Sequence, residues 1–218
     1  MEHREPKDIQ IKYIVESQLH DDEFEATPDK YLTIVRGNIY QREDVFDMLD
    51  LPNLIGKIQF SIIHTNYAII DDFNLEEVFD YSEAYLSIMD KIYDIDKLEL
   101  VDKIVDFYGD FFNEDFLIFE RLEIIKSHRK KGIGRLVINE VLRRFGASCG
   151  LCVAKIFPLQ FEPESSKKTE WNAKMDFQEL PDDLEYSTFK LKAHYLKIGK
   201  CDEIEGLEGL IFKNPIYR

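Results

Sequence analysis

Cysteine is scarce in this chain of 218 residues, with three at positions 149, 152 and 201. A zinc site needs about four ligands, and Cys201 does not complete one with the Cys149-Gly150-Leu151-Cys152 pair. Redox C-x-x-C pairs sit at a helix N-terminus, where the helix dipole stabilises a thiolate. This pair falls instead between an expected helix end and a strand, so it reads as structural. The five histidines, at 3, 20, 64, 128 and 194, show no H-x-x-x-H spacing, and no metal site is expected. No apolar run approaches membrane-spanning length, and the first ten residues, MEHREPKDIQ, lack the apolar core of a secretory signal. A cytoplasmic protein without a membrane partner is the expectation. Positive charge is also in deficit: 28 Lys and Arg face 43 Asp and Glu, a net charge of −15. That balance argues against nucleic acid as a partner. Internal repeats and low-complexity tracts are missing too, which excludes a repeat architecture.

What is present suits one folded domain over residues 1–218, since 44% hydrophobic and 13% aromatic residues can fill a sizeable core. The positive charge that exists is concentrated. Residues 126–144 carry seven Lys or Arg against one Glu, leaving the remainder strongly acidic. The basic island surrounds a strand–loop–helix pattern. Phe116–Ile125 is an apolar run of strand length, rich in Phe, Ile and Leu. A polar, basic turn follows and closes on Gly132 and Gly134. The next run places Ile133, Leu136, Val137 and Val141 at helical spacing. The first amides of a helix lack intrahelical partners and carry partial positive charge, and glycine lets an oxyanion approach the backbone closely. Lys126, Arg129, Lys130, Lys131 and Arg135 reinforce that field, so the loop is read as an anion site. It lacks the G-x-x-x-x-G-K-[ST] of a nucleotide P-loop and the third glycine of G-x-G-x-x-G.

Around this centre, residues 9–19 and 31–40 read as strands, 41–50 as a short helix, and 54–70 as a strand interrupted at Gly56 and His64-Thr65-Asn66. Residues 75–93 are expected to form one helix with Val78, Tyr81, Tyr85, Ile88 and Ile92 on its apolar stripe. Residues 98–112 are expected to form another, with Leu100, Ile104 and Phe107 aligned. Gly150–Phe157 is the next strand, and with 116–125 and 133–145 it makes a right-handed βαβ unit with parallel strands. Residues 158–188 read as a long connection, followed by a helix capped by Ser187-Thr188 and stopped by Gly199. Short strands near 200–204 and 210–213, with a turn at Gly206–Gly209, complete the chain.

Arg129-Lys130-Lys131-Gly132-Ile133-Gly134 matches R/Q-x-x-G-x-G/A directly after a strand, which resembles the acetyl-CoA pyrophosphate loop of the GNAT N-acyltransferase superfamily. His194-Tyr195-Leu196-Lys197-Ile198-Gly199-Lys200 is similar to the F-Y-x-K-L-G-F segment of the same family, with Lys200 in place of the usual Phe. The resemblance covers about residues 115–215. It implies a mixed α/β fold: a central, largely antiparallel sheet with one splayed parallel pair and flanking helices. The helical stretch at 75–112 would be an insertion. It also implies acetyl-CoA as co-substrate, with the loop amides of Lys131–Arg135 on its pyrophosphate. Exposed backbone of Leu122–Ile125 would follow its pantetheine arm, with an amide near Ile124 on the thioester carbonyl. The expected cofactor-binding residues are therefore Ile124, Ile125, Arg129, Lys130, Lys131, Gly132, Ile133, Gly134 and Arg135.

Acyl transfer to an amine requires loss of the amine proton, because an ordinary amine near pKa 10.4 is protonated at neutral pH. Glu120 and Glu123 lie on the central apolar strand and are the candidate bases; the other reading makes them a solvated face or partners of Arg121. Tyr195 is the candidate acid for the departing thiolate, or else an amphipathic core tyrosine. Trp171 and Phe177, with Glu179, Asp182, Asp183 and Glu185, are read as an acceptor-lining loop selecting a cationic small molecule or basic side chain. A solvated surface loop anchored by Trp171 is the other reading. The function expected from the resemblance is acetyl transfer to an amine in a ternary complex. A non-catalytic acyl-CoA-binding protein, O-acyl transfer, a longer acyl group and a homodimer all stay open.

Overall fold

In the computed structural model, residues 9–17, 27–41, 53–109, 113–163 and 169–215 are described. The chain runs β1 (Ile9–Glu16), β2 (Leu32–Gln41), β3 (Asn53–Ile63), α1 (Thr65–Ile70), α2 (Leu75–Phe79) and α3 (Glu83–Ile92). A two-residue hairpin, β4 (Tyr93–Asp94) and β5 (Glu99–Leu100), leads to α4 (Asp102–Tyr108) and β6 (Phe116–Ile124). The C-terminal half contains α5 (Ile133–Arg144), β7 (Leu151–Lys155), α6 (Glu170–Met175), α7 (Leu184–Ile198) and β8 (Leu210–Lys213). The main sheet has the order β1-β2-β3-β6-β7-β8. Every neighbouring pair is antiparallel except β6 and β7, which are parallel. A mixed α/β fold with a largely antiparallel sheet, one parallel pair and flanking helices is what the sequence led one to expect.

Alternation along the strands sends side chains to both faces, and both are covered. On one face Phe116, Ile118, Leu151, Val153 and Phe212 pack against Val78, Phe79, Ile88, Ile92 and Ile104 from α2, α3 and α4. On the other, Val35, Phe60 and Leu117 meet Ile133, Val137 and Val141 of α5. Alongside α5, Leu191, Tyr195 and Leu196 of α7 close over Ala154 and Ile211. A strand covered on both faces reads as a continuous apolar run, which is why β6 stood out in the sequence.

Several boundaries differ from expectation. The strand expected over 54–70 stops at Ile63, and Thr65–Ile70 is helical. The switch is made by distant groups. Thr65 Oγ1 donates to Glu114 O at 2.6 Å, and the Asn66 amide donates to Asp115 Oδ1 at 3.1 Å. The helix expected over 75–93 is two helices, because the Ser82 hydroxyl accepts from the Tyr85 amide and starts α3 afresh. Tyr81 leaves the apolar stripe as a result and is exposed. The helix expected over 98–112 is shorter, ending where Gly109 takes φ +82, and Phe107 is exposed. Of the helix expected over 41–50, Gln41 is the end of β2 and 42–50 fall outside the described residues. The described residues of 158–188 are more structured than a loop, holding α6 and the first turn of α7. The cap of α7 is Asp183, not Ser187-Thr188: its carboxylate accepts from the Tyr186 amide at 2.8 Å. Near Lys200, one bridge between Asp202 and Phe212 replaces the expected short strand.

Candidate active site

Parallel pairing between β6 and β7 runs only from Phe116 opposite Leu151 to Phe119 opposite Ala154. Beyond that point β6 continues to Ile124 beside β3 alone, while the Ile156 amide turns to Gly209 O next to β8. The two strands therefore splay apart after Phe119. The cause lies on the other edge of β6. Gln59 of β3 faces Arg121 and Phe60 faces Phe119, so Glu120 is an extra residue. Such a bulge bends its strand and increases the local twist. The predicted exposed backbone at Leu122–Ile125 is on the splayed part of the strand.

Hydrogen bonding settles which groups face the gap. The Ile125 amide donates to Ile55 O at 3.0 Å and its carbonyl accepts from His128, so the backbone of Ile125 is used within the fold. Antiparallel alternation then turns the amides of Leu122 and Ile124 away from β3, toward the open side. Arg129 Nε donates to Ile124 O on that side at 2.9 Å, and Arg129 Nη2 reaches Met175 O. Burial pulls the Arg129 guanidinium below its ordinary pKa. The Arg129 side chain thus ties the end of α6 to β6.

At the mouth of the splay, α5 begins with no side-chain cap. Its first intrahelical bond runs from the Leu136 amide to Gly132 O. The preceding amides of Ile133, Gly134 and Arg135 are the orphan donors of a helix start. Gly132 has φ +80, a left-handed conformation that disfavours any side chain, and a Cβ there would meet open space. Gly134 is different. A Cβ on it would lie 3.7 Å from Leu122, 3.8 Å from Ile198 and 4.0 Å from His194 Nε2, all ordinary contacts. Its place is inside the cleft between α5, β6 and α7. Ile133 is buried and anchors the helix start, whereas Lys130, Lys131 and Arg135 are exposed. Lys126 is held by Asp176 and Glu179.

The bulge decides how the candidate bases are oriented. Ile118 and Glu120 project to the face carrying α3, and the inserted residue brings Arg121 and Glu123 to the same face. Glu120 accepts from Gln59 Nε2 at 2.6 Å, Ser61 Oγ at 2.5 Å and Tyr85 Oη at 2.8 Å. Burial, followed by the Glu120 charge, pushes the Tyr85 phenol well above its ordinary pKa. Glu123 is 5% exposed. Its Oε2 accepts from the indole Nε1 of Trp171 at 2.7 Å, and its Oε1 lies 3.0 Å from Arg121 Nε. Arg121 also pairs with Glu162, and Lys57 Nζ stands 4.6 Å from the Trp171 ring centroid.

Tyr195 occupies the opposite face. It lines a small cleft with Phe119 and Ala154, the last pair before the strands part, and with Ile138, Cys152 and Cys201. Burial, with a smaller contribution from Cys201, pushes its phenol up to about 12. Beside it, burial pulls the His194 imidazole below its ordinary value, with Lys197 acting in the same direction. The cysteines are buried or half-buried thiols: desolvation pushes Cys149 up to about 12, Cys201 up to about 11, and Cys152 well above its usual value.

Sequence reasoning singled out Glu120, Glu123 and Tyr195 but missed the groups that hold them. Gln59, Ser61 and Tyr85 are 35 to 61 positions from Glu120 along the chain. Trp171 was noted, without its bond to Glu123. Of the acidic run after it, Glu179 holds Lys126 and Asp183 caps α7.

No family model matches this chain, and no curated protein does. Among solved structures, the Arabidopsis thaliana NAA60 complex with acetyl-CoA matches 57% of this chain at 19% identity, with a TM-score of 0.29. The match spans 53% of that protein's length.

Proposed function

We propose that this protein is an acetyl-CoA-dependent N-acetyltransferase of GNAT type, joining an acetyl group to an amine by direct attack within a ternary complex. The observation that carries the reading is the splay of β6 from β7 with the uncapped, glycine-opened start of α5 at its mouth. The amides of Ile133, Gly134 and Arg135, with Lys130, Lys131 and the Arg135 side chain, would take the pyrophosphate. The pantetheine arm would enter the gap beyond Phe119. An amide of Leu122 or Ile124 would then donate to the thioester carbonyl and stabilise the oxyanion that forms there. Arg129 and Ile125 would support this frame from behind.

Glu123 and Tyr195 divide the proton traffic. Glu123 sits between the two gap-facing amides on the acceptor side and takes the amine proton, directly or through water. Glu120, held by three donors, fixes the bulge that aims Glu123 and is the alternative base. Attack forms the N–C bond and a tetrahedral oxyanion, whose collapse breaks the C–S bond. Tyr195, protonated throughout the neutral range, returns a proton to the leaving thiolate. A second reading, a non-catalytic CoA-binding protein, is favoured by the enclosure of Glu123 under Trp171.

One experiment separates the two. Thermal stabilisation by acetyl-CoA together with thiol release over a panel of cationic amines supports the enzyme. Stabilisation without thiol release leaves the binder, and no stabilisation sinks both.

A further inference from the structure

We propose that α6 is a lid on the acceptor side of this site, that Trp171 is the residue closing it over Glu123, and that the phosphates of the acyl donor release it at Lys126. The inference rests on the donor-site reading above and deepens it, by making access of the amine depend on occupancy of the donor loop.

A carboxylate that is 5% exposed cannot meet an amine arriving from solvent unless its cover moves. The cover is Trp171. Its indole N–H satisfies Glu123 Oε2 as the N–H of an acceptor amine would, so the closed form leaves no charge unpaired. Its ring rests near Lys57, the residue paired with Glu123 across β3 and β6. The attachment of α6 is slight. The helix has six residues, of which Met175 is the one buried side chain, and such segments open at low local cost.

Its C-terminal end is tied to the donor loop at two places. Arg129 holds Met175 O, and Lys126 pairs with Asp176 and Glu179. The Lys126 side chain is 46% exposed, with Asp176 at 36% and Glu179 at 60%. Exposed pairs of this kind contribute roughly 0–1 kcal/mol each. A pyrophosphate at the start of α5 offers Lys126 stronger, charge-assisted partners and competes directly with the two carboxylates. Once Lys126 changes partners, Asp176 and Glu179 face the bound phosphates without their counter-charge, and α6, still held at Met175 by Arg129, pivots about that tie and carries Trp171 off Glu123. A ligand that binds the open form better than the closed one shifts the population by that difference.

The chain has a single tryptophan, so its fluorescence reports Trp171 alone. The full chain is titrated with CoA, and emission maximum, acrylamide quenching and melting temperature are followed together. Expected is a red shift and at least a doubling of the quenching constant as CoA binds. Lys126→Gln and, independently, Glu179→Gln should show raised quenching before any ligand is added, with unchanged far-ultraviolet circular dichroism. CoA that raises the melting temperature while Trp171 emission and quenching stay constant overturns the lid and leaves the donor site standing. CoA that neither stabilises the chain nor shifts Trp171 overturns the donor site and the proposal together. Variants that quench no more than wild type overturn the tie at Lys126.

Discussion

The phenol of Tyr85 and the carboxylate of Glu120 meet at 2.8 Å, joining α3 to the one residue of β6 left out of the β3 register. A bulge gives up regular pairing, so its geometry depends on what the extra residue binds. Here Gln59 and Ser61 of β3 and Tyr85 of α3 converge on it. Tyr85→Phe removes a buried hydrogen bond to a carboxylate, and a loss of about 1.5–3 kcal/mol in stability is expected. Denaturant unfolding checks the loss. If Glu120 holds the bulge, the same variant lowers kcat as the splay relaxes, whereas a merely structural bond would lower stability and spare turnover.

The two loop glycines should respond differently to alanine. Gly132→Ala places a side chain at φ +80, so a penalty of about 1–2 kcal/mol is expected. Gly134→Ala meets ordinary contacts and should leave the melting temperature close to wild type. Its methyl group nevertheless enters the cleft beside Leu122, and a raised dissociation constant for acetyl-CoA is expected by calorimetry. Unchanged affinity in Gly134→Ala would place the pantetheine route elsewhere.

Tyr195→Phe removes the proposed acid while keeping the ring that packs on Ala154 and Ile211. The expected fall in kcat is about 10²–10⁴-fold, with acetyl-CoA affinity retained. A stability measurement gives an independent reading. In the unfolded chain a tyrosine ionises near pH 10, whereas burial holds the native Tyr195 proton up to about 12. Between those values the native state binds more protons than the unfolded one, so stability falls as pH rises. The alkaline slope between pH 10 and 12 should be shallower in Tyr195→Phe than in wild type. An identical slope would show that the phenol is not enclosed.

Asp183→Ala loses the cap of α7, and a cost of about 1 kcal/mol is expected from denaturant unfolding. Asp182→Asn and Glu185→Gln, at exposed positions, should change stability little. The pair also addresses specificity. If these carboxylates select the acceptor, neutralising Asp182 and Glu185 raises its KM across a range of salt concentrations. An unmoved KM assigns acceptor selection to the groups around Glu123 and Trp171.

Local patterns account for what was readable in advance. The apolar run Phe116–Ile125 is a strand as far as Ile124, and of the four positions that the spacing put on the stripe of α5, Ile133, Val137 and Val141 are buried while Leu136 is exposed. Gly132 does adopt the left-handed conformation that makes glycine informative at a turn. Where the strand expected over 54–70 failed, a distant group overrode a local preference. Thr65 and Asn66 start α1 because Glu114 and Asp115 offer acceptors some 49 positions away. Tyr81 lost its place on the stripe because a serine cap reset the helical phase.

By itself the sequence determined the order of the central strand, the glycine-containing loop and the helix behind it, because hydrophobic period and glycine conformation act within a few residues. It also singled out the candidates for proton transfer, since Glu120 and Glu123 are the carboxylates on the central apolar strand and Tyr195 is the tyrosine of the second motif. The tertiary structure alone decided how they are arranged. A one-residue offset between β3 and β6 reverses the face of every later side chain on the strand, and nothing in the order of Phe119, Glu120 and Arg121 states where that offset falls. Only the convergence of Gln59, Ser61 and Tyr85 on one carboxylate places it at Glu120, opening the sheet beside Ala154 and turning Glu123 beneath Trp171.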